Sequence, residues 1–167
     1  KNPAITPIFK SLREYSGMKL ISQDRAIIRL LKHLKRGGQT AFLTDLRVKP
    51  SKAATIIETF GLKTSVTIAH GFLAKQTGAP IIPVMCHPQP DGTYVFHYYP
   101  SFRAGPNDSP QQIVQQCWDI FEPAIRENPA PWLWMYKHWR HLPKDADPKD
   151  YPNYTGFSKA FRQLEES

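Results

Sequence analysis

Two cysteines are all the sequence carries, Cys86 and Cys117, and no CxxC pair surrounds either of them. That spacing argues against a disulfide framework or a thiolate metal site, and both thiols are expected in the core of a protein kept in a reducing compartment. Long apolar runs are also missing: none reaches the roughly 18 residues needed to span a bilayer. No secretory signal is visible, and the chain starts at Lys1 rather than at a methionine. There is no internal repeat and no inter-domain linker. Acidic residues are scarce, 14 against 22 basic, for a net charge of +8. The partner is therefore expected to be anionic: nucleic acid, an anionic membrane surface, a phosphorylated lipid or an acidic protein. What remains is globular in composition. Apolar residues at 41% and aromatics at 12% exclude a disordered chain, and 167 residues make one domain or a large part of one.

Apolar spacing at Ile5, Ile8, Phe9 and Leu12 predicts a first helix stopped at Gly17, with Met18 to Ile21 as a short strand. Ser22 is placed to cap a second helix. Its stripe is Ile27, Leu30, Leu31 and Leu34, and Arg25, Arg29, Lys32 and Lys35 lie opposite. Gly37-Gly38 ends it, where positive φ is tolerated. Thr40 to Thr44 reads as a buried strand presenting Asp45 at its end, and residues 45–58 as a polar, basic loop. Thr64 or Ser65 is expected to cap a third helix burying Val66, Ala69, Phe72 and Leu73, closed by Gly78. Pro80 to Cys86 reads as an apolar strand, turned by Pro90-Asp91-Gly92 into Thr93 to Tyr99 as a hairpin. Ser109-Pro110 starts a further helix with Ile113, Cys117, Phe121 and Ala124 on its buried face. The Trp132, Trp134, Tyr136 and Trp139 segment is either an interfacial aromatic belt or a helix packed on the sheet. Residues from Lys144 onward read as a loosely held extension. Alternation of helices and strands favours an α/β fold with a mixed, mostly parallel sheet flanked by helices.

Three ordered segments carry a resemblance. They are Lys1-Asn2-Pro3 leading to Arg13 and Gly17; Arg36-Gly37-Gly38 through Asp45; and Gly78-Ala79-Pro80 through Asn128-Pro129 and Trp132-Leu133-Trp134. Together they resemble the lipid A biosynthesis (late lauroyl/myristoyl) acyltransferases of the lysophospholipid acyltransferase superfamily, over roughly residues 1–143. The resemblance implies a glycerolipid-acyltransferase-like fold, with residues 1–143 as the C-terminal portion of one acyltransferase domain and 144–167 as a charged, proline-broken tail. It implies transfer of a fatty acyl group from an acyl-carrier-protein or CoA thioester to a hydroxyl of a lipid A precursor or lysophospholipid. The setting would be the cytoplasmic face of the bacterial inner membrane, at the membrane surface and without cofactor or metal.

The family's general base is a histidine followed five positions later by an acid. Here those positions pair His33 with Gly38, His70 with Lys75, His87 with Gly92, His97 with Phe102, His138 with Pro143 and His141 with Ala146. The motif is absent, and in the family it precedes the Asn-Pro element found here at residue 2. The chain is therefore expected to be N-terminally truncated relative to the family and inactive alone. Asp45 and Arg13 match family positions assigned to the catalytic site, and Arg47, Lys49, Lys1 and Asn2 are the expected substrate-binding residues. Thr44 replaces a family proline, Leu46-Arg47 departs from the usual polar residue and glycine after the acid, and Tyr136-Lys137-His138-Trp139-Arg140 keeps the charge of a His-Arg-Arg-Trp-Lys box without its pattern. The competing reading is a basic nucleic-acid-binding module, with the helix cations and exposed aromatics as stacking platforms. No recognised binding motif supports it, and the tryptophans are far in sequence from the basic helix, so no nucleic acid is expected. His87 and His97 flank the hairpin and are placed to face each other, but no third or fourth metal ligand accompanies them.

Overall fold

A computed structural model describes residues 5–21 and 25–166. Helices α1 (Thr6–Glu14) and α2 (Ala26–Lys35) come first, then strands β1 (Ala54–Thr59) and β2 (Leu62–Thr67). They are followed by α3 (Ala69–Thr77), β3 (Val84–Pro88), β4 (Tyr94–Tyr98), α4 (Pro110–Glu127) and α5 (Lys159–Glu165). The fold mixes helices with strands, as expected, but the sheets are two separate antiparallel pairs, β1–β2 and β3–β4, rather than one mostly parallel sheet. A parallel neighbour requires a crossover returning to the same sheet, and here each strand is answered by the next one through a tight turn.

The β1–β2 hairpin is the centre of the molecule. Thr59 faces Leu62, so the turn is only Phe60-Gly61, with both residues at positive φ, 57° and 77°. Glycine takes that conformation freely, whereas phenylalanine pays sterically and must be held. Glu122 of α4 holds it: one carboxylate oxygen accepts the Phe60 N–H at 2.7 Å and the Thr59 hydroxyl at 3.0 Å. The other oxygen accepts the Arg126 Nε–H at 2.8 Å, and the Arg126 guanidinium lies 4.8 Å from the centre of the Phe60 ring. Burial works to raise the Glu122 carboxyl, but the hydrogen bonds from Phe60, Arg126 and Thr59 prevail and hold it below its usual range.

Alternation puts Ile57 and Val66 on one face of the hairpin, where they form the core with Val114 and Trp118 of α4, and Trp132 packs against that cluster. The outer edge of β1 meets side chains rather than another strand. Gln115 accepts the Glu58 N–H at 2.8 Å and donates to the Glu58 carbonyl at 2.7 Å, and Gln111, one turn earlier, donates to the Ile56 carbonyl at 2.7 Å. Two glutamines at i and i+4 thus stand in for a neighbouring strand and leave the edge no free ladder at those positions.

Helix α4 begins as the sequence indicates. The Ser109 hydroxyl accepts the Gln112 N–H, and the Gln112 side chain returns the bond to the Ser109 N–H, with Pro110 at the first position. Its buried face includes Ile113 and Cys117, together with Val114, Trp118 and Ile125. Burial pushes the Cys117 thiol up to about 12, so it is a core group, whereas Cys86 is exposed, contrary to expectation. The hairpin around Pro90-Asp91-Gly92 also forms as expected: Asp91 Oδ1 accepts the Thr93 N–H at 2.9 Å and its hydroxyl at 2.7 Å. His87 and His97 do face each other, ring centres 5.2 Å apart.

Helix α3 crosses α4 at Gly71, where an added Cβ would overlap the Pro110 carbonyl oxygen and approach a Val114 methyl at 2.8 Å. Backbone cannot yield as a flexible side chain does. Gly71→Ala is therefore expected to cost about 1–3 kcal/mol, despite alanine's better helix propensity, measurable as a lower urea midpoint.

Several expected elements are absent. Met18–Ile21 and Thr40–Thr44 have no regular secondary structure, with no ladder partner beside them among the described residues, and the second stretch is not buried. The expected loop 45–58 contains most of β1. Thr64 and Ser65 lie in β2 rather than capping α3, which starts at Ala69. Ser22 lies outside the described residues, and α2 is preceded by Arg25 in left-handed conformation. Residues after Lys144 are packed rather than loose: Tyr151 and Phe161 are buried, Tyr151 Oη accepts the Lys63 N–H at 3.0 Å, and Lys63 pairs with Glu165 at 3.4 Å.

Candidate functional site

Strand β2 assembles the region around Asp45. Its Ser65 carbonyl accepts the Val48 N–H at 3.1 Å, and the Ser65 hydroxyl donates to the Val48 carbonyl at 2.7 Å. One residue earlier, the Thr64 hydroxyl donates to the His138 carbonyl. Adjacent hydroxyls of one strand, one from each face, thus fasten two segments distant in sequence, 45–48 and 138–141, to β2. The second segment is held from its other side by Gly156, which donates its N–H to the Arg140 carbonyl at 2.9 Å and accepts the Leu142 N–H at 3.0 Å.

The two fastened segments carry Asp45 and Arg47 on one side and His138, Arg140 and His141 on the other. Asp45 and Arg47 are half-buried, and Arg140 is exposed. His138 is buried, its ring stacked on Trp132 at 4.3 Å and its Nε2 3.2 Å from the Leu133 carbonyl. Burial lowers the His138 ring below the usual histidine value, the Leu133 carbonyl and the Asp45 charge oppose this, and Arg47 adds to it. His141 is lowered by burial and then by the charges of Arg47 and Arg140. Arg47 is lowered from its own high value by burial and by Arg140. The field here is positive, and Asp45 is the acid whose charge reaches into it through His138.

Of the residues expected at the site, Asp45 and Arg47 share this cluster. Lys49 is exposed on the same loop. Arg13 lies exposed in the last turn of α1, and its guanidinium has no hydrogen-bond or ion-pair partner among the described residues. Nothing in the described contacts joins it to Asp45. Lys1 and Asn2 lie outside the described residues. His138, Arg140 and His141 were not expected at the site. The available signal was three basic or titratable side chains within four positions of a charge-retaining box. The basic residues of α2 (Arg29, Lys32 and Lys35), with Arg25 and Arg36 beside them, are all exposed, as a solvated face would be. No group of three or more metal-ligating side chains occurs among the described residues.

The tryptophan segment is not one helix packed on a sheet: Trp134–Tyr136 is a single 3-10 turn, and Trp134 and Tyr136 remain exposed. Phe60 is the hub of the tryptophans, with ring centres 5.6 Å from Trp132, 5.8 Å from Trp134 and 5.7 Å from Trp139. Trp134 donates its indole N–H to the Pro129 carbonyl at 2.7 Å, which makes the turn after α4 rigid. The result positions the His138–His141 segment, because Trp139 is buried within it.

No curated protein matches the chain. A family model does, that of the bacterial lipid A biosynthesis acyltransferases, over residues 1–141. The match includes β2, the Asp45 loop that it fastens, the tryptophan cluster and the basic segment ending at His141, and so takes in every side chain of the cluster just described. By that match the chain belongs to the bacterial lipid A biosynthesis acyltransferase family.

Proposed function

We propose that the protein takes part in moving a fatty acyl group from an acyl-carrier-protein or CoA thioester to a hydroxyl of a lipid A precursor or lysophospholipid, with Asp45 and the basic groups around it at the acceptor end. The observation carrying this reading is that Ser65 and Thr64 fasten to β2 the two segments bearing Asp45 and Arg47 and bearing His138, Arg140 and His141, inside the region of the family match. In the reaction the acceptor oxygen attacks the thioester carbonyl and its proton passes to a base. The C–S bond then breaks, and the thiolate leaves and takes up that proton, giving ester and free thiol. The family's base, a histidine five residues before an acid, has no counterpart at that spacing in residues 1–167. We therefore assign residues 1–167 the substrate-binding side of the reaction, without turnover alone.

Asp45 and Arg13 would orient the base or the acceptor, Arg47, Lys49, Lys1 and Asn2 would meet acceptor oxygens, and the acyl chain would lie beside residues 80–86. We place the protein at the cytoplasmic face of the inner membrane; attachment to a membrane surface, though not the choice of face, is supported by the apolar stripe of α1, where Ile5, Ile8, Phe9 and Leu12 are exposed with basic Lys10 among them. No helix among the described residues is long and apolar enough to cross a membrane.

Incubated with acyl-carrier-protein thioester and a lipid A precursor, residues 1–167 are expected to form no acylated lipid; product would reject this assignment of the base. Supplied within a longer reading frame that encodes the His-x4-acid motif, the same residues are expected to support transfer. There Asp45→Ala should lower kcat/KM by about tenfold or more, as for loss of an orienting group. A folded Asp45→Ala enzyme with unchanged kinetics removes Asp45 from the site.

A further inference from the structure

An open strand edge offers its backbone N–H and C=O groups to any other strand, and folded proteins cover or interrupt such edges. Three of the strands described here are treated in that way. The edge of β1 meets the side chains of Gln111 and Gln115, and the edge of β2 meets Val48 and the Tyr151 hydroxyl. Strand β3 is interrupted by Pro88, which has no N–H, and Pro83 stands just before its start. Strand β4 has neither protection. The stretch Thr93 to Tyr99 holds no proline, glycine, lysine, arginine or acid, and every residue of β4 is exposed.

The ladder shows which of its groups are open. Tyr99 donates its N–H to the Pro83 carbonyl at 3.0 Å, and the Thr93 carbonyl accepts the Gln89 N–H at 2.8 Å. His97 stands opposite Met85 and Val95 opposite His87, so in an antiparallel pair the odd-numbered residues of β4 bond to β3. Tyr94, Phe96 and Tyr98 therefore aim their N–H and C=O groups outward, where β4 has no neighbouring strand. That outward set is symmetric about Phe96. Pairing β4 antiparallel with its own copy, on a two-fold axis at Phe96, sets Tyr94 opposite Tyr98 of the second copy and Phe96 opposite Phe96. Every outward donor then meets an outward acceptor. A slip of one residue would set outward groups against inward ones.

Charge favours the same occupant. A net charge of +8 resists self-association in general, but this strand sets no like charges opposite each other, and His97 meets Val95 of the second copy rather than itself. The register also carries the exposed tip acid Asp91 of each copy toward the exposed Arg103 beyond the far end of the other strand. A lipid headgroup or nucleic acid would require cations beside the rings, and β4 has none. Tyr94, Phe96 and Tyr98 are 67%, 57% and 72% exposed, and pairing makes them cross-strand aromatic neighbours.

We infer that β4 is a self-pairing edge, joining two copies of the chain in one antiparallel sheet in the order β3–β4–β4–β3. One strand from each copy covers less than the roughly 800 Å² per partner of a standard interface, so the dimer is weak and concentration-dependent. The inference is independent of the function proposed above, and neither falls with the other.

Sedimentation of residues 1–167 over about 5 to 500 µM, the range of a weak association, is expected to pass from monomer to dimer and stop there, because a two-fold contact closes. Amide exchange at Tyr94, Phe96 and Tyr98 should slow at the high concentration, with α1 unchanged. Phe96→Lys sets lysine against lysine on the axis and should weaken the dimer about tenfold or more, as should Phe96→Glu. An equimolar mixture of the two is expected to restore it. Should Phe96→Lys fail to fold, Tyr98→Lys carries the test, since Tyr98 is the more exposed. A monomer throughout the range, open-ended polymers, or Phe96→Lys as dimeric as the wild type overturns the inference. So does a dimer without slowed exchange in β4, or one that Leu12→Glu abolishes and Phe96→Lys does not, which would place the contact on α1.

Discussion

Trp118→Ala is expected to destabilise the protein by about 3–5 kcal/mol, a large part of the 5–15 kcal/mol that holds a typical domain folded. Trp118 is 1% exposed and sits where β1, β2 and α4 meet, against Ile57, Val66 and Val114. Phe121 and Trp132 stand edge-on to it, each with ring centres 6.3 Å away. Truncation removes the transfer energy of the indole and leaves a cavity between a hairpin and a helix. Neither wall can collapse, since Gln111 and Gln115 fix their separation through hydrogen bonds to β1. Trp118→Phe makes a sharper comparison. The indole N–H is buried without a partner among the described residues, so phenylalanine removes an unsatisfied donor while losing volume. The two effects oppose, and the net cost should be about 1–2 kcal/mol. Urea unfolding of both variants checks the pair. A cost below about 1 kcal/mol for the alanine would mean that the hairpin and α4 do not share a core.

That core was only half visible in the sequence, and the reason is the range of the interactions that make it. Helix α4 and the β3–β4 hairpin could be read because their determinants are local: Ser109 caps three residues on, and Asp91 closes its turn two residues on. The β1–β2 hairpin could not, because its turn puts phenylalanine at positive φ and is held by Glu122, 62 positions from Phe60. No local rule anticipates a turn whose stabilising group is on a distant helix. Thr64 and Ser65 illustrate the same point. Their hydroxyls suit a helix cap, yet the chain uses them from a strand to fasten the loops bearing Val48 and His138. Thr40–Thr44 failed in the opposite direction. Its apolar composition fits a buried strand, but a strand requires a partner's backbone as well as apolar side chains.

The candidate site divides in the same way. Asp45 and Arg47 are neighbours in sequence and could be singled out from one segment. His138, Arg140 and His141 come to them only through β2, so their role depends on a register that composition does not contain. The tryptophan box had two readings because its spacing fits no single helix face. In place of the helix the structure has a turn-bound cluster centred on Phe60. Its consequence for the site is mechanical. Phe60 is clamped by Glu122, the tryptophans pack on Phe60, and the basic segment continues from Trp139, so the stiffness of the hairpin tip is passed on to Arg140 and His141.

Stability is expected to fall by about 3 kcal/mol as the pH drops from about 6.5 to about 4, through His70 alone. His70 is 7% exposed on α3, and neither ring nitrogen has a partner among the described residues. Burial lowers its pKa to about 4, against 6.5 for the free side chain. The sign follows from proton counting. Between those values the unfolded chain binds a proton at this residue and the folded chain does not, so stability rises with pH across the window and is lost as pH falls through it. Well above 6.5, from about pH 7.5, both states are neutral at His70 and the slope vanishes. His138 and His141 are also lowered by burial and act in the same direction, so the wild-type curve cannot isolate one ring. His70→Leu does so by difference. Near neutral pH the variant should be as stable as the wild type or more stable by about 1 kcal/mol, because leucine has similar bulk and leaves no unpaired nitrogen. Its advantage should then widen as the pH is lowered, reaching about 3 kcal/mol or more near pH 4. Urea midpoints of the two proteins at a series of pH values measure that gap. A gap that stays constant with pH would mean that His70 is charged in the folded protein, with a partner inside the α3–α4 packing.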